Sequence, residues 1–257
     1  MFNNSVSTFK YAPKKFGILV LCSGIYPDSI GGAEIHVFNL ACRLAERRHN
    51  VYVITPVNNI LNKTANTKIP FAKISLKLWP KPFATLSYII KSLILSCKLK
   101  KQIEIVHAHT ADYPMITAFL FSLFNHKPYI VACRGSDIRI SSRKFLRRAL
   151  QLPFLHNAKS VVVVSNEIAE LLTEKYGISR HKILVIGNAY DDRITQETAN
   201  IEIYAETERP KRIICVANMR PEKDHATLLE GFARLTKRAN AVQLLLIGDG
   251  PLRGKLE

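Results

Sequence analysis

The hydrophobic pattern of the chain alternates between short unbroken apolar runs and longer stretches with helical spacing. The first run, residues 16–22, is bounded by turn-forming residues and is typical of a strand buried in a parallel sheet. Two adjacent glycines, Gly31 and Gly32, follow it. Beyond them, apolar residues recur on one face of a helix: Val37, Leu40, Ala41, Leu44 and Ala45. The pattern therefore predicts a strand, a glycine loop and a helix in succession.

The same alternation continues along most of the chain. Further strands are predicted at residues 50–55, 68–76, 103–109, 128–133, 160–164 and 182–186. Helices are predicted at residues 83–101 and 113–124, from Arg139 onward, and from a cap at Asn166 through Tyr176. Strands that alternate with helices indicate an α/β fold, and we expect a Rossmann-like, doubly wound parallel sheet.

A polar segment divides the chain. Residues 191–211 are rich in Thr, Glu and Asn, and we interpret them as a linker between an N-terminal domain, residues 1–190, and a second domain, residues 212–257. The second domain restarts the pattern with strands at residues 212–217 and 242–247 around a helix at residues 224–238. Because an independent domain usually needs roughly 100 residues, we expect that only its beginning is present and that the chain is truncated.

The chain is strongly basic, since 37 Lys and Arg residues stand against 20 Asp and Glu residues, a formal net charge of +17. Such a charge attracts phosphate-rich ligands, anionic membrane surfaces and nucleic acid. Five widely spaced cysteines fall mostly within apolar patterns, which favours reduced core residues. We find no secretory signal and no apolar window of about twenty residues, so we expect a cytoplasmic protein without a membrane-spanning helix.

The glycine pair stands where the first predicted helix begins. Glycines let the backbone approach a ligand closely, and the unpaired N–H groups of a helix start favour an anion. The alternative is that Gly31 and Gly32 only form a tight turn. The loop lacks the Gly-x-Gly-x-x-Gly spacing, so it gives little support for a bound dinucleotide.

Several short motifs occur in order on this α/β background. They are Gly31-Gly32-Ala33-Glu34, His107-Ala108-His109, Arg134-Gly135-Ser136-Asp137, Ser165-Asn166, Arg220-Pro221-Glu222-Lys223-Asp224 and Ile247-Gly248-Asp249-Gly250-Pro251. In this order the set resembles the retaining glycosyltransferases of family 4, and the resemblance covers the chain from Phe16 to its end. It implies a GT-B-type fold with two Rossmann-like domains. The first would bind the acceptor and the second a UDP- or GDP-linked sugar, with no cofactor and no metal.

The resemblance also implies roles for particular residues. Arg134 and Asp137 match the catalytic motif. Arg220 and Lys223, in a loop between a strand and a helix, would bind the donor phosphates together with Gly31 and Gly32. Fixed cations there would stabilise the negative charge that grows on the leaving diphosphate. The acceptor side of the cleft would be lined by Glu34, His109, Ser165 and Asn188.

The chain departs from the family pattern at three points. Many relatives carry a histidine where this chain has Arg134, and arginine cannot act as a base because it stays protonated. Ala189 replaces the glycine that usually follows the residue matching Asn188. The paired glutamates that bind the donor sugar would fall beyond Glu257. His107 and His109 do not restore the lost histidine, and their spacing lacks further ligands for a metal.

Two basic segments raise the question of a membrane partner. Lys91 and Lys98 share one helical face, and a second basic group consists of Arg143, Lys144, Arg147 and Arg148. With Phe83, Tyr88, Phe145 and Leu146, these residues could hold the first domain against an anionic membrane. The alternative is a solvated helix face. Nucleic acid is disfavoured because the aromatic residues are not interleaved with the basic ones as stacking platforms would be.

Three hypotheses follow from the sequence. The favoured one is a glycosyltransferase that adds a sugar to a growing polysaccharide, a lipopolysaccharide or a glycolipid acceptor. The second is a catalytically silent fragment that binds only an acceptor or a partner. The third is a nucleotide-sugar epimerase on the same two-lobed plan, which is disfavoured because it needs acid and base residues across a complete cleft.

Overall fold

The computed structural model describes residues 14–29, 31–57, 69–189, 211–238 and 242–257. It divides into two compact units, Met1–Asp192 and Arg193–Glu257. Apart from Lys211, the predicted linker at residues 191–211 lies outside the described residues, as does the start of the strand predicted at residues 68–76.

The first unit is built on a seven-stranded sheet in which every neighbouring pair of strands is parallel. The strands are β1 (Gly17–Leu21), β2 (Asn50–Pro56), β3 (Ala72–Leu76), β4 (Ile105–Ala108), β5 (Tyr129–Cys133), β6 (Ser160–Val163) and β7 (Ile183–Val185). Their order is β3-β2-β1-β4-β5-β6-β7. The chain therefore winds from β1 to one edge, returns, and continues from β4 to the other edge. This confirms the predicted doubly wound parallel sheet.

Helices cover the two faces of this sheet unequally. They are α1 (Gly32–Glu46), α2 (Ala84–Lys98), α3 (Tyr113–Asn125), α4 (Ser136–Ser142), α5 (Phe145–Asn157) and α6 (Asn166–Tyr176). The larger buried cluster joins the sheet to α2, α3, α5 and α6 through Tyr88, Phe121, Leu155 and Leu172. The smaller cluster joins the opposite face to α1 through Val37 and Ala41.

The helix predicted to run from Arg139 onward is wrong as a single element. Two helices occupy this stretch, and Lys144, in an extended conformation, caps the second of them. Serine hydroxyls at the end of α4 bond to its own backbone: Ser141 donates to the Asp137 carbonyl at 2.7 Å and Ser142 to the Arg139 carbonyl at 2.9 Å. Such local bonds compete with helix continuation and are common where helices bend or end.

The cap predicted for α6 is also wrong by one residue. Asn166 is the first residue of α6, and Ser165 is the cap, with its hydroxyl accepting the Ile168 N–H at 3.4 Å. Ser165 has the extended backbone that a cap requires.

The second unit contains a parallel βαβ element. Its parts are β8 (Lys211–Val216), a 3₁₀ turn (Pro221–Lys223), α7 (His225–Thr236), β9 (Val242–Ile247) and α8 (Arg253–Leu256). Strands β8 and β9 pair in parallel, from Lys211 opposite Val242 to Val216 opposite Ile247. The strand, helix and strand predicted for this part of the chain are all present.

Candidate active site

The site residues predicted for the first unit lie beyond the carboxyl ends of the strands of its sheet. Each follows the carboxyl end of a different strand: Gly31 after β1, His109 after β4, Arg134 after β5, Ser165 after β6 and Asn188 after β7. The winding of the chain reverses between β1 and β4. In open parallel sheets, ligands bind beyond the carboxyl ends of the strands at such a reversal. The sheet order alone therefore predicts a ligand site at this end of the strands.

Arg134 is the centre of the site. Its Nη2 lies 2.8 Å from Nε2 of His109, and its Nη1 lies 3.4 Å from Oδ1 of Asn188. Burial lowers the pKa of Arg134 to about 10, but the guanidinium stays charged at neutral pH. Guanidinium hydrogens only donate, so the nearer nitrogen of His109 accepts the bond from Arg134. The other ring nitrogen can then donate to the Ala33 carbonyl, to which His109 also bonds. The structure thus brings His109, Arg134 and Asn188 together.

Asp137 holds the backbone of the loop that carries Arg134. Oδ1 accepts the N–H groups of Arg134, Gly135 and Ile138 at 3.0, 2.9 and 3.1 Å, and Oδ2 accepts the Ala111 N–H at 3.0 Å. Burial raises the pKa of Asp137, and these backbone N–H groups oppose the rise. Gly135 has φ +107°, a conformation in which a side chain would be strained. Both carboxylate oxygens are engaged, so the geometry favours a positioning role for Asp137.

Neutral histidines surround the Arg134 guanidinium. The ring centroids of His36 and His107 lie 5.3 and 5.4 Å from that of His109. Burial and then the charge of Arg134 lower the pKa of His36 to about 4 and of His107 to about 3. The pKa of His109 is also well below its usual value, first because of burial. At neutral pH these rings offer hydrogen bonds without adding positive charge.

A groove of about 300 Å³ leads away from this cluster along the sheet. His36, His107 and Arg134 supply its polar end, and most of the remaining wall is apolar: Ile18, Ile105, Ile130, Val162 and Ile186. Nε2 of His107 and Nε of Arg134 are buried and have no hydrogen-bond partner among the described residues. Buried polar atoms are ordinarily satisfied, so these two are suited to a ligand.

The glycine pair at the start of α1 does not have a left-handed backbone. Gly31 has φ 179°, which any residue can adopt, but a Cβ there would lie 2.3 Å from Oε2 of Glu34. A Cβ on Gly32 would meet no atom within 4 Å. Glu34 therefore folds back over Gly31 in the first helical turn, while the space beside Gly32 is open.

In the second unit, Arg220 and Lys223 bracket the 3₁₀ turn after β8. Both side chains are exposed, and neither has an ion-pair partner within the part of the chain that the structure describes. The turn is tied to the loop after β9, because the Met219 N–H donates to the Asp249 carbonyl at 2.9 Å. A Cβ on Gly250 would lie 2.6 Å from the Met219 carbonyl oxygen, so glycine permits this approach.

Two histidines, one in each unit, lie near predicted site residues of their own unit and escaped the sequence analysis. His36 stands beside the apolar positions that define α1, and no pattern distinguishes it from an ordinary helix residue. His225 begins α7, two residues beyond Lys223, and is buried with both ring nitrogens lacking a hydrogen-bond partner among the described residues. Its position directly after a recognised motif was the only available signal.

Across residues 14–29, 31–57, 69–189, 211–238 and 242–257, no group of three or more His, Cys, Asp or Glu side chains is arranged to hold a metal ion. The expectation of no metal stays a prediction. Within the same described ranges, no helix has both the length and the apolar character to cross a membrane.

The fold and the cationic site at the sheet edge define a GT-B-like α/β protein. The sequence pattern of Glycosyltransferase Family 4 matches residues 30–193, and the chain belongs to this family. The structure of HepE from Anabaena in complex with UDP and glucose is similar, with a TM-score of 0.62 and 16% identity over 93% of this chain and 62% of that one.

Two curated relatives are similar in sequence. The GPI3 subunit of phosphatidylinositol N-acetylglucosaminyltransferase from Saccharomyces cerevisiae is 24% identical over 247 residues, covering 92% of this chain and 53% of the relative. N-acetyl-alpha-D-glucosaminyl L-malate synthase from Bacillus anthracis is 24% identical over 241 residues, covering 88% of this chain and 60% of the relative. The chain thus spans between half and two thirds of the length of these relatives.

Proposed function

We propose that this protein acts as a retaining glycosyltransferase, which moves a sugar from a nucleotide-sugar to a polysaccharide, lipopolysaccharide or glycolipid acceptor. The observation that carries the proposal is the convergence of Arg134 on His109 and Asn188 at the carboxyl edge of the sheet, in a chain of family 4. Family membership favours this over the epimerase hypothesis.

The donor is a UDP- or GDP-linked sugar, and Arg220 and Lys223 bind its diphosphate. Both cations are exposed and unpaired among the described residues, and they share one short turn. As the bond between sugar and phosphate breaks, negative charge grows on the leaving diphosphate, and fixed cations lower the barrier. Arg220 offers two parallel donors to phosphate oxygens, while Lys223 acts as a compact charge. The family resemblance also assigns Gly31 and Gly32 to donor phosphates, and the space beside Gly32 is open.

The acceptor binds at the Arg134 site, with Glu34, His109, Ser165 and Asn188 around it. A single guanidinium among neutral imidazoles suits an acceptor that carries one anionic group and several hydroxyls. This agrees with the two relatives, which are named for phosphatidylinositol and for L-malate. Asp137 acts as a positioning residue for Arg134, since its oxygens are bound to backbone N–H groups. We assign the chain to the cytoplasm, at the inner face of a membrane, with residues 191–211 as the linker between its two domains.

The test is equilibrium binding by calorimetry with a panel of UDP-, GDP- and ADP-linked sugars. We expect one nucleotide-sugar to bind, and the double substitution Arg220→Ala/Lys223→Ala to weaken it at least tenfold, because two charge-assisted contacts are lost. The matched control is Lys237→Ala/Arg238→Ala, which removes the same charges from exposed positions of the same unit.

Equal affinities for both double variants would contradict the donor assignment. If no nucleotide-sugar binds while the acceptor does, the catalytically silent alternative holds instead.

A further inference from the structure

Helix α2 has the reverse of the polarity expected for a helix on a water-exposed surface. Its buried positions are mainly hydroxyl-bearing, and its exposed positions include large apolar side chains. The buried set is Ser87, Tyr88, Ser92 and Ser96. The exposed set is Phe83 just before the helix, then Leu86, Ile90 and Ile94. A helix that packs on a core and faces water shows the opposite arrangement.

The buried hydroxyls of α2 all form hydrogen bonds, so the burial of this polar face is consistent with the packing of the helix. Ser92 and Thr117 of α3 are joined by a hydrogen bond of 3.0 Å between their hydroxyls. The Tyr88 hydroxyl donates to the Cys22 carbonyl at 3.1 Å and is fully buried. The sequence-based inclusion of Tyr88 in a membrane-facing surface is therefore wrong. Leu93, Leu95 and Cys97 of α2 are partly buried against the core, whereas Leu86, Ile90 and Ile94 stay exposed.

Helix α5 also carries exposed apolar side chains. Phe145 and Leu146 are 76% and 72% exposed, and Leu150 is exposed one turn later. Thr85 of α2 and Leu150 of α5 line one groove of about 510 Å³, together with residues of α3. We name the exposed apolar residues of the two helices, together with Phe83 before α2, the α2–α5 face: Phe83, Leu86, Ile90, Ile94, Phe145, Leu146 and Leu150. Apolar surface concentrated in this way usually marks an interaction site.

The charges around the α2–α5 face are positive. No Asp or Glu occurs in residues 69–103 or 138–166, which supply α2 and α5. Asp112 beside the groove is paired with Arg147 at 3.0 Å. The other basic residues near the helix starts have no ion-pair partner among the described residues: Lys81, Arg143 and Lys144. Apolar side chains rimmed by unpaired cations complement a surface that is apolar inside and anionic outside.

One cation of α2 and one of α5 also lie over aromatic rings. Nζ of Lys91 is 5.6 Å from the centre of the Trp79 ring, and the Arg148 guanidinium is 5.7 Å from that of Phe145. Long basic side chains and aromatic rings are enriched together at the boundary between lipid and water. We propose that the α2–α5 face docks the protein on an anionic lipid bilayer.

The docking face adjoins the candidate active site. Ala111 lines the groove and donates its N–H to Asp137, which holds the Arg134 loop. Gln151 lines the same groove and donates to the Ala111 carbonyl at 2.7 Å. A lipid acceptor in the bilayer would therefore meet the protein next to Arg134. This step rests on the proposed function, whereas docking itself requires no sugar.

The experiment is flotation of the full chain with vesicles of phosphatidylcholine, with and without about 30% phosphatidylglycerol. We expect binding to the anionic vesicles to be at least tenfold stronger than to the neutral ones. Binding should weaken about tenfold or more in each of two double variants, Phe145→Ser/Leu146→Ser and Arg143→Gln/Lys144→Gln. Both apolar burial and attraction to anionic lipid contribute to binding. Circular dichroism of each variant serves as the control for folding.

Two controls match these variants. Ile35→Ser/Val57→Ser removes two apolar side chains that are each 42% exposed and lie outside the face. Lys159→Gln/Lys175→Gln removes two exposed charges near α6. Both controls should bind within about twofold of the parent chain, as expected for exposed positions away from an interface.

Equal binding to neutral and anionic vesicles would overturn the proposal, as would equal loss in test and control variants. Self-association that Phe145→Ser/Leu146→Ser abolishes, without vesicle binding, would assign the face to a second copy of the chain. Vesicle binding without nucleotide-sugar binding would refute the proposed function and keep the docking face. Nucleotide-sugar binding without vesicle binding would refute the docking face alone.

Discussion

Arg134 carries a positive charge in surroundings where the neighbouring titratable rings are held neutral. Burial disfavours protonation of His36, His107 and His109, and the guanidinium disfavours it further. The Arg134 backbone is fixed by Asp137, and its side chain by His109 and Asn188. A single fixed charge is thus presented at the end of an apolar groove, which suits a ligand with one anionic group.

Asp137 should matter for stability more than an exposed carboxylate. In Asp137→Asn only one side-chain oxygen is left for four backbone N–H groups, so the free energy of unfolding should fall by about 2 to 3 kcal/mol. Urea unfolding measures this. The control is Glu167→Gln, whose partner Arg139 is exposed and whose effect should stay below about 1 kcal/mol. Equal effects would show that the carboxylate does not hold the loop.

The histidine cluster should make the protein less stable as the pH falls below 7. The pKa of His107 is about 3 in the folded protein, below the 6.5 of an unperturbed histidine, so the unfolded chain binds more protons below pH 6.5. The stabilisation is fully present above that pH and declines below it. At pH 5 the loss from His107 should be about 2 kcal/mol. Urea midpoints at pH 7, 6 and 5 measure it.

His107→Gln should flatten this pH dependence, whereas His181→Gln, at an exposed position, should leave it unchanged. A parent protein whose stability is constant from pH 7 to 5 would contradict the neutral histidine cluster.

At the residue scale, the sequence motifs predicted the candidate-site residues that follow strand ends. Arg134, His109 and Asn188 each come after a short apolar run, and parallel strands bring such positions to one edge. His36 could not be found in this way, because it reaches the site from a helix face. The positioning role of Asp137 could not be read either, because its bond to Ala111 spans 26 residues.

At the scale of elements, the apolar runs and helical periods located the strands and helices of the first unit to within a few residues. The wrong predictions fall where local hydrogen bonds of polar side chains set the ends of helices. Serine hydroxyls accompany the break between α4 and α5, and Ser165 rather than its neighbour caps α6. Periodicity reports which face of an element is buried, and it does not report where hydroxyls divert backbone bonds. It also missed the buried serines of α2, of which Ser92 bonds to Thr117 of α3.

The cap of α6 gives a direct test of one such detail. Ser165→Ala should lower the free energy of unfolding by about 1 kcal/mol, because the Ile168 N–H loses its acceptor. Asn166→Ala, at the exposed first position of the helix, should cost less than about 0.5 kcal/mol. Chemical denaturation of both variants measures the difference. A larger effect at Asn166 would restore the cap predicted from the sequence.

At the scale of the whole molecule, the two units differ in how well they cover their sheets. The first has buried clusters on both faces of seven strands. In the second, β8 and β9 expose apolar side chains, and Val216 is 74% exposed. Parallel sheets are normally covered on both faces. The two described strands and one long helix of the second unit leave much of its sheet uncovered.

Hydrogen exchange should report this contrast. Amides of β8 and β9 should exchange about 100-fold faster than those of β1 and β4, since strands with little burial open more readily. The β1 and β4 amides in the same sample serve as the control. Equal protection in both units would show that the exposed face of the second unit is covered in solution.

Sugar transfer gives the sharpest test: the nucleotide-sugar that binds in calorimetry, carrying a labelled sugar, is incubated with a panel of polysaccharide, lipopolysaccharide and glycolipid acceptors, using the parent chain and Arg134→Gln. We predict that the transfer rate falls about 100-fold or more while donor affinity changes little, because Arg134 acts on the acceptor side. Arg139→Gln makes the same change at an exposed position of α4 and should leave the rate unchanged. Transfer by Arg134→Gln at the parent rate would contradict the account.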